Sequence, residues 1–241
     1  MRWIVLALVG LTLTGCETTA ERSAKLERQA KLAASREHRP QQTVTFTRES
    51  ADVKVVRAEL LHGSEGAAAV VTVRNGSAHA LRAVPIALTV ADSAGRVVFQ
   101  NNAPGSEAAL VSIASIPAHG TLTWVDDQIP ASGSPAKVSA RAGEAAPLRG
   151  SLPKVAVAGV HLIEDPANGA GAAGTASNHS TAAQHALVVY VLARRRGHAI
   201  AAARAVLPEL GAGSSLPFQA FFVGDPHGGT LQASAPASST G

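Results

Sequence analysis

Residues 73–98, VRNGSAHALRAVPIALTVADSAGRVV, hold the pattern that decides the fold. A strand runs into Asn75, an Asn-x-Ser turn follows through Ser77, an apolar run centres on Leu88, and Asp92-Ser93-Ala94-Gly95 turns the chain into a second strand at Val97-Val98. Asn and Ser side chains bond the backbone two residues on, and Gly accepts the positive φ such turns require. Residues 176–200, ASNHSTAAQHALVVYVLARRRGHAI, repeat the plan: Asn178 and Ser180 stand for Asn75 and Ser77, and Gly197 stands for Gly95 across a one-residue gap. Further on, IPAHGTLTWV (116–125) is answered by LGAGSSLPFQAFF (210–222), with about nine extra residues around NNAPGSEAA in the first copy. A repeated unit of this length means one domain plan folded twice.

Outward from that core, the first copy breaks into short stretches rich in Val, Ile and Thr at 53–61, 67–75, 84–92, 95–99, 109–116, 121–125 and 136–141. Asn75-Gly76-Ser77, Pro104-Gly105-Ser106 and Pro117-Ala118-His119-Gly120 punctuate them. About seven strands in roughly 90 residues predict a β-sandwich. In the second copy the alanine-rich run from Ala182 to Leu210 has helical propensity, yet Gly197 at its middle and Val188, Val189 and Val191 favour two strands joined by a basic turn. GAAGTASN reads as a poor strand, and 168–180 as a long small-residue loop. The expected division is a first sandwich at 43–142, a linker at 143–152, a second sandwich at 153–236 and a frayed tail from 237 to 241.

The motif residues Val73, Asn75, Ser77, Leu88, Asp92, Gly95 and Val97-Val98 resemble the FxLyD-type and related immunoglobulin- or fibronectin III-like domains of bacterial lipoproteins. The second copy departs from them, because Arg194-Arg195-Arg196 replaces the acidic turn before Gly197. The resemblance implies an extracytoplasmic module and an all-β fold of two tandem immunoglobulin-like sandwiches.

The N-terminus agrees with export. Arg2 precedes an apolar segment, Trp3–Leu13, that is too short to span a bilayer as a helix of about 20 residues. It ends in Leu13-Thr14-Gly15-Cys16, which resembles the bacterial lipobox: signal cleavage falls between Gly15 and Cys16, and the Cys16 thiol takes the lipid. Cys16 is the chain's one cysteine, so no intramolecular disulfide is possible and the folded parts rest on their apolar cores. Two or three acyl chains anchor stably where one holds marginally. Residues 16–42 then form a charged, alanine-rich stalk, either a short helix over 23–35 or a disordered tether, with Arg39-Pro40 as its stop. The expected location is the extracytoplasmic face of a bacterial cell membrane. Alanine, glycine and arginine richness fits a high-GC, actinobacterial host; in a Gram-negative one, Glu17 rather than aspartate at the second mature position points to the outer membrane.

No residue set commits the chain to catalysis. There is no G-x-S-x-G elbow, and Asp225 and His227 in GDPHGG, although able to cooperate as base and orienter, belong to an ordinary loop-forming sequence. A copper site of the cupredoxin kind needs Cys and Met, whereas the cysteine is committed to lipid and the one methionine is Met1. His179 and His185 lack zinc-ligand spacing. Neither metal nor small-molecule cofactor is expected. Nucleic acid is not expected either, despite a net charge of +4, because aromatics make up only 3% of the chain and Arg194–Arg196 is one cluster. Those three arginines are the candidate contact with an envelope protein or an anionic surface polymer. The sequence thus points to a membrane-anchored, non-enzymatic binding or envelope-accessory module, against two alternatives: an envelope hydrolase with a dispersed catalytic set in the second domain, and a purely structural spacer.

Overall fold

A computed structural model describes residues 45–64, 66–102 and 108–238. The signal peptide, Gly15, Cys16 and the stalk lie outside the described residues. In chain order the elements are β1 (Val53–His62), β2 (Gly66–Asn75), β3 (Leu81–Ala91), β4 (Val97–Gln100), the single turn α1 (Ala108–Val111), β5 (Ser112–Ile116), β6 (Thr121–Pro130), β7 (Lys137–Ala142), β8 (Ala146–Pro147), β9 (Val155–Asp165), β10 (Gly169–Asn178), β11 (Gln184–Arg195), β12 (His198–Leu210), β13 (Ser215–Phe221), β14 (Val223–Gly224) and β15 (Thr230–Ser234). The protein is all-β, and every strand pairing among the described residues is antiparallel.

The repeat is visible strand by strand. Sheet β1-β2-β6 of the first copy corresponds to β9-β10-β13 of the second. In the other layer, β3 corresponds to β11, and both follow an Asn-x-Ser turn of the same construction. Asn75 Oδ1 accepts from Ser77 N–H at 3.0 Å and Ser77 Oγ at 2.9 Å, while its Nδ2 donates to His79 O at 2.7 Å and Pro117 O at 2.9 Å. Asn178 repeats this with Ser180 N–H at 3.0 Å, Ser180 Oγ at 2.6 Å, Ala182 O at 2.8 Å and Gly211 O at 3.1 Å. Both amides are buried, so each satisfies backbone groups that water cannot reach and ties one sheet to the other.

The copies diverge where the first carries its insertion. Strand β3 pairs with β4 at Thr89–Ala91 and with β5 at Leu81–Pro85, whereas its counterpart β11 faces the unbroken β12. Beside the gap, Asn101 substitutes for a strand, its Nδ2 donating to Ile86 O and its Oδ1 accepting from Leu88 N–H, both at 2.8 Å.

Three expectations change. The small-residue stretch expected as a loop is β10, the central strand of its sheet. Its glycines make room: a Cβ on Gly174 would stand 2.9 Å from the Phe218 ring, which covers the strand from β13. The segment expected as a linker is tied down in its first half, where Ala146-Pro147 pairs with β3 and Leu148 N–H donates to Ala80 O at 2.8 Å. The tail expected to fray from residue 237 is docked at its start: Ala237 O accepts from Ser115 Oγ at 2.6 Å, and Ser238 Oγ bonds Gln184 Oε1 and His185 N–H.

The sandwiches stack face to face as four layers. Val188, Tyr190 and Leu192 of β11 join the first core, while Leu187, Val189 and Val191 of the same strand join the second. Successive side chains of a strand point to opposite faces, so this strand is buried on both. That is why LVVYVLA is a continuous apolar run rather than an alternating one. Ala67–Val71 of β2, all fully buried, lie in the sheet of the first sandwich that packs against β12 and β14. Each large apolar side chain sealed in this way contributes about 1.5–3 kcal/mol.

Candidate functional site

The seam between the sandwiches holds the polar chemistry. From β12, Arg204 enters the seam with its side chain 5% exposed and meets two carboxylates of β6. Its Nε lies 2.7 Å from Asp127 Oδ1, its Nη2 lies 3.3 Å from Asp126 Oδ1, and its backbone N–H donates to Asp127 Oδ2 at 3.0 Å. Its Nη1 donates to Val125 O at 3.3 Å and Leu110 O at 3.4 Å. Burial pushes the Asp126 and Asp127 carboxyls up, against the opposing pull of Arg204. A guanidinium spread over two carboxylates and two carbonyls satisfies its fork of donors, as a buried charge must.

A second set crosses the seam at Glu59 of β1, which is 16% exposed. His198 Nδ1 lies 3.3 Å from its Oε1 and Arg57 Nη1 lies 3.6 Å away. Glu59 Oε2 is buried without a hydrogen bond, and Arg194 balances its charge from 3.8 Å. Arg57 also donates to Gly197 O at 3.3 Å, so the β11–β12 turn is held from the first sandwich.

Beside Asp127 the seam opens into a cleft of about 600 Å³. Its walls are the β1–β2 turn (Gly63, Ser64, Gly66), the end of β6 (Asp127–Pro130), the β9–β10 turn (Ala167–Gly169) and Phe221–Val223. Gly66 is required there, because a Cβ would stand 2.6 Å from Ile129 O. The cleft therefore has walls from both copies, with backbone amides and carbonyls and the side chains of Ser64, Asp127, Gln128 and Asn168 as its polar groups.

The three candidate arginines are split by the fold. Arg194 turns into the seam toward Glu59, while Arg195 and Arg196 stand exposed at the turn, Arg196 with a φ of 53°. Asp225 and His227 do meet: His227 Nδ1 lies 2.6 Å from Asp225 Oδ1, and its Nε2 lies 3.3 Å from Glu164 Oε1. The Asp225 carboxylate accepts the imidazole and the His227 N–H, which holds the imidazole up and the carboxyl down. All three side chains are mostly exposed. His179 and His185 are both exposed. Among the described residues no group of three or more His, Cys, Asp or Glu converges as a metal site, and no helix is long and apolar enough to cross a membrane.

Sequence reading missed Arg204, Asp126, Asp127 and Glu59. A signal was present: TLTWVDDQIP places two adjacent carboxylates in an otherwise apolar strand, and AIAAARAVL places one arginine among small apolar residues. Charges inside such strands are costly unless they meet.

The fold defines an all-β protein of tandem sandwiches. No protein-family model matches the chain, and no curated protein matches it. Among solved structures, the crystal structure of red sea bream transglutaminase is similar at 13% identity and a TM-score of 0.22, over 90% of this chain and 34% of that one. The chain thus spans about a third of that protein's length.

Proposed function

We propose that the chain is a bacterial lipoprotein, anchored through Cys16 on the extracytoplasmic face of a membrane, whose paired sandwiches form a non-enzymatic binding module. The observation that carries the binding reading is the cleft of about 600 Å³ to which both copies contribute walls. Tandem domains that only space a partner from the membrane have no need to share a concave polar surface. Here the Arg204–Asp127 contact fixes the two sandwiches at its edge, so the cleft is organised before any ligand arrives, which lowers the ordering cost of binding. The ligand class that fits is an envelope protein segment or surface polymer able to exchange hydrogen bonds with loop backbone.

The test has two arms in the native host. Mass spectrometry of the N-terminal peptide reads acylation at Cys16, with Cys16→Ala as control; an unmodified Cys16 ends the anchoring reading. A photo-crosslinking side chain at Ser64 or Asn168 is compared with one at Ser215, which is exposed at the far end of β13, about 20 Å along the strand from Phe221. A discrete adduct at the cleft positions and none at Ser215 supports the module. Equal, diffuse labelling at all three refutes it.

A further inference from the structure

The two outermost sheets of the stack differ in charge. Strands β9, β10 and β13 contain no lysine or arginine, and their acidic residues are Glu164 and Asp165. In the outermost sheet at the other end, strands β3, β4, β5, β7 and β8 contain Arg82, Lys137 and Arg141 and no carboxylate. Alternation places Lys137 and Arg141. Ile86, Leu88 and Val90 are buried in the core, so Ala87 and Ala91 face outward, and their cross-strand partners Arg141 and Lys137 face outward with them. Val97, partner of Ala91 on the other side, is 58% exposed on the same face. Arg82 is exposed on β3. The nearby carboxylates of Asp92 and Glu144 are engaged by Arg96 and Arg48, and Glu49 is exposed at the sheet margin.

The chain also enters the folded unit on this sheet. Glu49 bridges to Gly143, Ser50 N–H donates to Ala142 O, and the Phe46 ring lies 5.1 Å beneath the Arg141 guanidinium. The described chain therefore begins beside the cations.

We infer that the outer face of the β3–β7 sheet, with Lys137 and Arg141, docks on anionic lipid headgroups of the membrane that holds the anchor. This rests on the lipoprotein reading. A tether leaving that face raises the local concentration of headgroups there, and the two cations with one exposed valine supply the second, reversible signal beside the lipid. The docked face turns the acidic β9-β10-β13 sheet outward from the bilayer.

The experiment uses the full lipidated chain, purified from membranes and reconstituted into vesicles of phosphatidylcholine alone or with about 30% phosphatidylglycerol. An acylated Cys16 leaves no free thiol, so Ser139→Cys on the docking face and Gln219→Cys on the opposite sheet each take one environment-sensitive dye. Flotation reads anchoring, and acrylamide quenching reads docking. The expected result is a Ser139 dye shielded only in the anionic vesicles, a Gln219 dye exposed in both, and loss of shielding in about 1 M salt, where the Debye length is about 3 Å. The Lys137→Gln, Arg141→Gln variant floats unchanged but loses about twenty-five-fold in its docked-to-free ratio, at about fivefold per cation. Chains that float with both dyes equally exposed, or equally shielded, overturn the docking while leaving the anchor intact. Chains that do not float overturn the anchor. Shielding of Ser139 in cells but in neither vesicle overturns lipid as the occupant and assigns the face to a protein.

Discussion

Removing the Arg204 guanidinium is the sharpest perturbation of the stack. Arg204→Met keeps the apolar stem of the side chain as far as the position of Nε and leaves Asp126 and Asp127, at 6% and 15% side-chain exposure, without a counter-charge. Breaking a buried ion pair from one side costs about 3–5 kcal/mol, because the remaining charge stays desolvated. For a folded unit of this size, about 2–4 °C of melting temperature accompanies each kcal/mol, so the fall is about 6–20 °C. The loss depends on pH. Both carboxyls are raised in the folded state, and more so without Arg204; a raised carboxyl gives stability that is full below its unfolded pKa and is lost as pH rises through the folded one. The deficit of Arg204→Met is therefore largest near pH 7 and shrinks toward about pH 4. Adding Asp126→Asn and Asp127→Asn to Arg204→Met recovers most of it at pH 7. The assay is equilibrium denaturation followed by tryptophan fluorescence. Trp3 precedes Cys16, so in a chain starting at Cys16 the fully buried Trp124 is the only reporter. A loss below about 1 kcal/mol that does not vary with pH would show that water already screens the cluster, and the account of the seam would fail.

Other predictions follow from the repeat and its turns. Asn75→Asp and Asn178→Asp each turn a donating Nδ2 toward carbonyls as an acceptor; each should cost about 2–4 kcal/mol in urea denaturation, and a cost at one site but not the other would contradict the equivalence of the two turns. Gly224→Ala should destabilise more than Gly150→Ala. Both have φ near +90°, a strain of about 1–2 kcal/mol, but only at Gly224 does the new Cβ meet backbone, 2.4 Å from Ile200 O; equal melting temperatures would refute this. His227 should titrate by NMR above the ordinary histidine value, and Asp225→Asn should bring it down, since the ion pair exists only between the lowered Asp225 pKa and the raised His227 pKa; a midpoint unmoved by the substitution would show that the contact does not form in solution.

The sequence by itself determined the strands and the repeat. Alternating Val, Ile and Thr, glycine turns and the paired Asn-x-Ser signals are local, so β1 to β7 and the equivalence of Asn75 with Asn178 could be read directly. Only the tertiary structure decided β10, because its glycines and alanines have poor strand propensity and are selected by the Phe218 ring that lies over them. The same holds for the docked start of the tail, whose partners Ser115 and Gln184 are far away in the chain. It holds most of all for the seam. Arg204 and Asp127 are separated by 77 residues and sit on different sandwiches, so no period or spacing links them. A sandwich's outward face is written in the sequence as apolar or charged, but which other face covers it is set by the packing of whole sheets. That packing decides whether an arginine in a strand is a solvated surface charge or the buried clasp between two domains.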